Sequence, residues 1–196
     1  MKIKLFMSVA LMGFLMLFSS CAKFPQAQID TVAAAVDSVK TVDGDVYVPE
    51  VFKALTDSLA SANATAETEK SKLFSNYKKT KESLAIVNQM AIDALAKVEA
   101  RKAELKAEND ALLAEVKELV LTDKELLKKA PKGKDGRAAL EAIQADITFI
   151  ETTVTEVETL ISNGDILGAN TKIKSAKEKA VAIKTELEEV LAKIGK

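Results

Sequence analysis

The sequence predicts an all-α protein, an elongated antiparallel helical bundle of coiled-coil hairpins around one very long central helix. Three observations carry that expectation. The 196 residues include only three prolines and seven glycines, too little turn chemistry for a many-stranded β fold. From position 25 onward, apolar residues recur at three- and four-residue steps, the spacing of one helix face. Nothing between Tyr77 and Lys129 breaks a helix, and Glu99 to Ala111 consists of strong helix formers. A helix over that span would be ~80 Å long at about 1.5 Å per residue, too long for a compact globule.

Taken in order, Pro25 suits a first helical turn, where its missing N–H costs nothing. Ile29, Val32, Val36 and Val39 then form one stripe, and Asp43-Gly44-Asp45 interrupts it. Pro49 opens a second helix with Val51, Leu55, Leu59, Ala62 and Ala66 facing inward, and the pattern changes face between Ser71 and Asn76. Tyr77, Leu84, Ala91, Val98, Leu105, Leu112 and Leu119 follow at seven-residue intervals as the seam of the long helix. Arg101, Lys102 and Glu108 fall on its second seam position, which predicts a thin middle. Lys128 and Lys129 suit the negative end of the helix dipole, and Pro131, Gly133 and Gly136 end the helix. Leu140, Ile143, Ile147, Ile150, Val154, Val157 and Ile161 form the next seam. At Asn163-Gly164-Asp165, Gly164 terminates one helix and Asp165 caps the next, whose seam runs from Ile166 through Ala169, Ile173, Ala176, Ala180, Ile183, Leu187 and Val190 to Ile194. Short connections make neighbouring helices antiparallel hairpins.

Composition excludes several functions. With 28 basic and 29 acidic side chains, the chain lacks the basic footprint of a general nucleic-acid binder. There is no His and a single Cys, so Ser-His-Asp and Cys-His nucleophile pairs, His-ligated zinc and intrachain disulfides are all impossible. Asp43 and Asp45 flank a glycine but lack the alternating oxygen ligands and terminal Glu of a calcium loop, so they read as a turn. Glu186, Glu188 and Glu189 read as a solvated face, with nothing nearby to desolvate one of them. The expectation is a non-catalytic protein without cofactor or metal. The mature aromatics Phe24, Tyr47, Phe52, Phe74, Tyr77 and Phe149 sit at turns and helix starts, where they read as plugs for the hairpin ends.

Residues 1–20 have the pattern of an export signal: Lys2 and Lys4, an apolar run from Leu5 to Phe18, then Ser19 and Ser20. Phe18-Ser19-Ser20-Cys21 resembles the lipobox of bacterial lipoproteins, with Phe18 in the usual place of Leu and Ser20 in that of Gly or Ala. The resemblance implies that Cys21 is lipidated and becomes the mature N-terminus. Ordinary cleavage after Ala22 and an uncleaved anchor are the alternatives. Two or three acyl chains hold a protein on a membrane stably, whereas one holds it marginally. Ala22 lacks the Asp that retains enterobacterial lipoproteins in the inner membrane, which points to the outer membrane facing the periplasm. On this reading residues 21–24 form a short tether, 25–129 a helical hairpin region with the long helix, and 137–196 a C-terminal hairpin packed on that helix.

Ala33-Ala34-Ala35, Gly44 to Pro49, Ala54, and Asn76-Tyr77 leading into Leu84 and Ala91 resemble a bacterial domain family of unknown function. Its members are Ala-rich helical hairpins on exported, often lipidated proteins, sometimes ahead of an OmpA-like peptidoglycan-binding domain. The resemblance covers about residues 25 to 100 and implies an envelope protein. It supplies no catalytic residues, and peptidoglycan binding is not carried over. Gly164-Asp165-Ile166 through Ala180 reads either as a second copy of Asn76-Tyr77 through Ala91 or as the product of a shared heptad spacing.

Lys128, Lys129, Lys132, Lys134 and Arg137 crowd one turn. They are the candidate contact for lipid headgroups or an acidic partner, against the alternative of a solvated turn whose first two lysines serve the helix dipole. Gly133-Lys134 lacks the spacing of a phosphate-binding loop. Lys196 resembles the peptidoglycan-linked lysine of the enterobacterial murein lipoprotein only in following a helix. The functional expectation is an envelope scaffold or spacer anchored to the membrane through its N-terminal lipid. The alternative is a binding module for a lipid, a wall polymer or a protein. Self-association is expected if seams are left exposed.

Overall fold

The computed structural model describes residues 23–131 and 136–194. Cys21, Lys132, Lys134 and Lys196 lie outside them. Among the described residues every regular element is helical: α1 (Gln26–Thr41), α2 (Gly44–Tyr47), α3 (Pro49–Lys70), α4 (Lys78–Lys129), α5 (Arg137–Ser162) and α6 (Ile166–Ile194). The all-α class follows as the spacing predicts, and the long helix α4 has 52 residues.

The described residues form two compact units, divided between Glu99 and Ala100, so α4 contributes its first half to one core and its second half to the other. In the first unit Val32, Val36 and Val39 of α1 meet Leu55 and Ala62 of α3 and Leu84, Val87, Ala91 and Ala94 of α4. The α4 residues alternate three- and four-residue steps, the knob positions of a coiled coil. Alanine on two of the three helices lets the backbones approach closely.

The interruption after α1 is tighter than a simple break. Asp43 adopts the left-handed conformation at φ 63°, and a four-residue helix, α2, is inserted before Val48 and Pro49. Gly44 is buried because a Cβ there would lie 2.5 Å from Val39 Cγ1 and 2.7 Å from the Val39 carbonyl oxygen. Only a residue without a side chain permits that approach. Val48, non-helical at φ −139° and ψ 57°, and Pro49 at the first turn then start α3.

In the second unit Leu113, Val116 and Val120 of α4 pack with Ile143, Ile147, Ile150, Val154 and Val157 of α5 and Ala169, Ile173, Ala176, Ala180, Ile183 and Leu187 of α6. Cross-helix ion pairs give the directions. Lys117–Glu158 and Lys124–Glu151 show that each seven-residue advance along α4 is a seven-residue retreat along α5. Lys174–Glu108 and Lys177–Glu115 ascend together. The unit is therefore an up-down-up three-helix bundle in which α6 runs parallel to this part of α4.

The α5–α6 turn forms as the sequence indicates. Gly164 takes φ 84°, and its N–H donates to Ile161 O while Asp165 N–H donates to Leu160 O, the paired bonds of a Schellman ending. Asp165 Oδ1 accepts from the Gly168 N–H at 2.9 Å, capping α6.

One expectation is corrected. The seven-residue line through Tyr77 holds to Leu105, but Leu112 and Leu119 are only half-buried. Asn109, Leu113, Val116, Val120 and Asp123 occupy the centre instead. An α-helix drifts about 20° per heptad against a strict seven-residue repeat. The two consecutive four-residue steps from Leu105 to Asn109 to Leu113 move the seam to a neighbouring stripe. Between Val98 and Leu105 no residue is buried, as the charged second seam positions foretell.

Candidate functional site

Of the basic cluster, Lys128 and Arg137 come together, on opposite walls of an open groove of about 570 Å³ at the α4–α5 end of the second bundle. Lys124, Leu127 and Lys128 line it from α4, and Arg137, Leu140, Glu141 and Gln144 from α5. Leu127 and Leu140 pack against the edge of the core without being fully covered, which gives the groove an apolar floor. Its cationic rim is partly committed. Lys124 pairs with Glu151, and Arg137 Nε donates to Glu141 Oε1 at 2.9 Å. Lys129 is exposed but does not line the groove. The arrangement suits an amphiphile or a peptide with acidic groups beside apolar ones.

The aromatic residues divide. Tyr77 is buried and Phe24 meets it edge-on with ring centroids 5.5 Å apart, while Phe52 packs against the first core. These three close hairpin ends as expected. Phe149 and Phe74 do not: they are 61% and 84% exposed. Phe149 lies on the outer face of α5 under the Lys179 ammonium, 5.0 Å from the ring centroid. Phe74 stands in the α3–α4 turn beside Leu73, also fully in solvent.

Five buried polar residues lie outside the sequence reading: Thr80, Thr153, Asn109, Asn170 and Asp123. Asn109 Nδ2 donates to Ile166 O at 2.9 Å and Asn170 Nδ2 donates to Asn109 Oδ1 at 2.8 Å, a satisfied polar layer that ties α4 to the start of α6. Just outside it a hydrogen bond from Lys174 holds the Glu108 carboxyl below its usual range. Asp123 differs in that it is fully buried and neither carboxylate oxygen has a hydrogen-bond partner. Burial raises its pKa to about 6, with Glu188 adding to the shift and Lys184 opposing it. The signal was present, because Asn109, Val116, Asp123 and Ala130 recur at seven-residue steps and are all buried. The leucine series beside them is the more apolar stripe and masks it.

Asp43 and Asp45 belong to the tight turn into α2. Among the described residues no group of three or more Asp, Glu, His or Cys side chains is placed to hold a metal ion. Nor is any helix among them long and apolar enough to cross a membrane. Comparison with known proteins finds no matching family, no matching curated protein and no matching solved structure.

Proposed function

We propose that the protein is a lipid-anchored component of a bacterial cell envelope that acts as a helical scaffold or spacer, without catalysis. The observation that carries this reading is the single helix α4, whose 52 residues supply knobs to two separate cores. Seam side chains in both units are used for packing, and the buried polar groups lie between helices rather than in a cleft. Such a molecule contributes position rather than chemistry. The anchor rests on the lipobox-like Phe18-Ser19-Ser20-Cys21 sequence, and the resemblance of residues 25 to 100 to envelope hairpin proteins agrees with it. The outer membrane, periplasmic side, is the proposed location.

Metabolic labelling with palmitate, followed by membrane fractionation, tests the anchor. Label is expected in the wild-type protein and not in Cys21→Ala, with the wild type in the outer-membrane fraction. Absence of label from the wild type would remove the lipid from this account. A binding module is the second reading, and the groove between Lys124 and Gln144 favours it. Affinity capture from the native envelope separates the two, since a module would lose its partner on Leu127→Glu or Leu140→Glu and a spacer would not.

A further inference from the structure

The α3–α4 turn projects two adjacent large apolar side chains into solvent, Leu73 at 86% exposure and Phe74 at 84%. Five lysines and three glutamates occupy positions 67 to 82 around them. Lys72, Lys78 and Lys79 share with Phe74 an open depression of about 690 Å³, together with Glu69, Asn76 and Glu82. Glu69 is engaged by Lys72 and Glu82 by Lys78, while Lys79 has no ion pair among the described residues. An apolar tip collared by excess lysine is the form of a membrane-interface wedge, with the hydrocarbon entering the acyl boundary and the ammonium groups meeting lipid phosphates.

A second, independent feature places this tip beside the chain's own start. Phe24 stacks edge-on against Tyr77, and the Lys70 ammonium sits 4.8 Å from the Phe24 ring centroid. Phe24 is thereby fixed to the last residue of α3 and to the residue that precedes α4. Only Ala22 and Lys23 separate it from Cys21, and three Cα-to-Cα steps span at most about 11 Å. Acyl chains on Cys21 would therefore enter the bilayer within reach of the turn. A protein partner is a poorer match to the tip. Two side chains offer a few hundred Å² at most, short of the roughly 800 Å² each side of a stable protein interface buries.

We propose that the Leu73–Phe74 turn is a second membrane contact, inserting into an anionic lipid surface next to the N-terminal anchor and fixing how the first bundle meets the bilayer. This rests on the lipid-anchored reading, and the experiment keeps the two apart. The chain has no Trp, so Phe74→Trp is a single-site reporter in the full-length protein purified from membranes. It would be reconstituted into vesicles of phosphatidylethanolamine and phosphatidylglycerol, with and without brominated acyl chains. Phe149→Trp, on the exposed face of α5, serves as the reference. Tryptophan at position 74 should shift to shorter wavelength and be quenched by bromine, and the reference should do neither. Leu73→Ser with Phe74→Ser should speed transfer between vesicles about tenfold or more, with the helical circular dichroism unchanged. Lys72→Glu with Lys79→Glu should weaken the preference for phosphatidylglycerol.

Mass spectrometry of the N-terminal fragment reports the lipid separately. A lipidated chain whose tryptophan at 74 keeps a water-like spectrum overturns the wedge and leaves the anchor standing. An unlipidated chain whose tryptophan still shifts on vesicles overturns the anchor and supports the wedge. A shift produced by an envelope protein and not by vesicles also overturns the proposal.

Discussion

In the first bundle Val, Leu and Ala fill the core, and its ion pairs, such as Lys53–Asp57 and Lys78–Glu82, join residues three or four apart in sequence. In the second bundle, among the described residues, six ion pairs cross between helices: Lys117–Glu158, Lys124–Glu151, Lys172–Glu156, Lys174–Glu108, Lys177–Glu115 and Lys179–Asp146. Its centre also holds the Asn109–Asn170 layer and the solitary Asp123 carboxylate. The difference shows two ways of specifying a helical register. In the first, the close approach at Gly44 and the alanine knobs allow one arrangement and sterically refuse others. In the second, Leu and Ile knobs would tolerate a slip, and buried amides with charged flanks penalise it.

Removing core volume gives the largest effects, and the two bundles should respond separately. Ile150→Ala in the second and Leu55→Ala in the first, both fully buried, should each cost about 2–5 kcal/mol. Amide hydrogen exchange resolved by segment should show faster opening in the mutated bundle and little change in the other. Equal acceleration of both would mean that α4 couples them into one cooperative unit.

Asp123 should produce the next largest effect, and in the stabilising direction. Its pKa in the fold, about 6 against an ordinary value of 3.8, means that the folded state holds the proton more tightly than the unfolded chain. The penalty is absent below the unfolded value, grows as pH rises from about 4 to 6, and is complete above that. A shift of this size corresponds to about 3 kcal/mol at neutral pH. Urea denaturation should therefore find the second bundle more stable at pH 5 than at pH 7.5. Asp123→Val should raise stability at pH 7.5 and flatten that dependence. Glu108, held below its usual range by Lys174, works oppositely. Its contribution is present above its unfolded pKa and is lost only as the pH falls further, outside this window. A wild-type midpoint that does not move between pH 5 and 7.5 would contradict the assignment.

Gly44→Ala should cost about 1–3 kcal/mol, because the added methyl meets the Val39 backbone oxygen, which cannot step aside. The loss should appear only in the first bundle, as reduced exchange protection of α1 and α3. For the amide layer, Asn170→Leu alone leaves Asn109 Oδ1 without its donor, and Asn109→Leu with Asn170→Leu removes both. The double-mutant cycle should give a coupling of about 0.5–3 kcal/mol, and the double variant should match or exceed the wild type in stability. Smallest of all, Lys117→Ala should cost under about 1 kcal/mol, a loss that high salt would erase.

The ends of the helices were largely legible. Gly164 and Asp165 perform the roles their residue types announce, because a left-handed turn and a carboxylate cap are local chemistry that needs no knowledge of the partner helix. The seams of α5 and α6 were legible for a similar reason, since Ile and Val at coiled-coil spacing leave one choice of face. The second half of α4 was not. There Leu112 and Leu113, and Leu119 and Val120, give two adjacent stripes, and only packing against two partners decides between them. The candidate site was legible as far as Lys128 and Arg137, which charge density alone marks out. The placement of Phe74 was not legible, because an aromatic residue beside a turn plugs the hairpin only if the backbone aims it inward. Leu73 and Phe74 point away, whereas Tyr77, three residues later, turns in.

Residues 99 to 104 are helical yet none of them is buried, so this turn and a half is held by its own backbone bonds and strong helix formers. Neither core would register a change there. Exposed positions between Val98 and Leu105 could be exchanged for other helix formers while every knob on either side kept its hole. Sequence change is thus cheapest at the place where the chain leaves one core and has not yet entered the next.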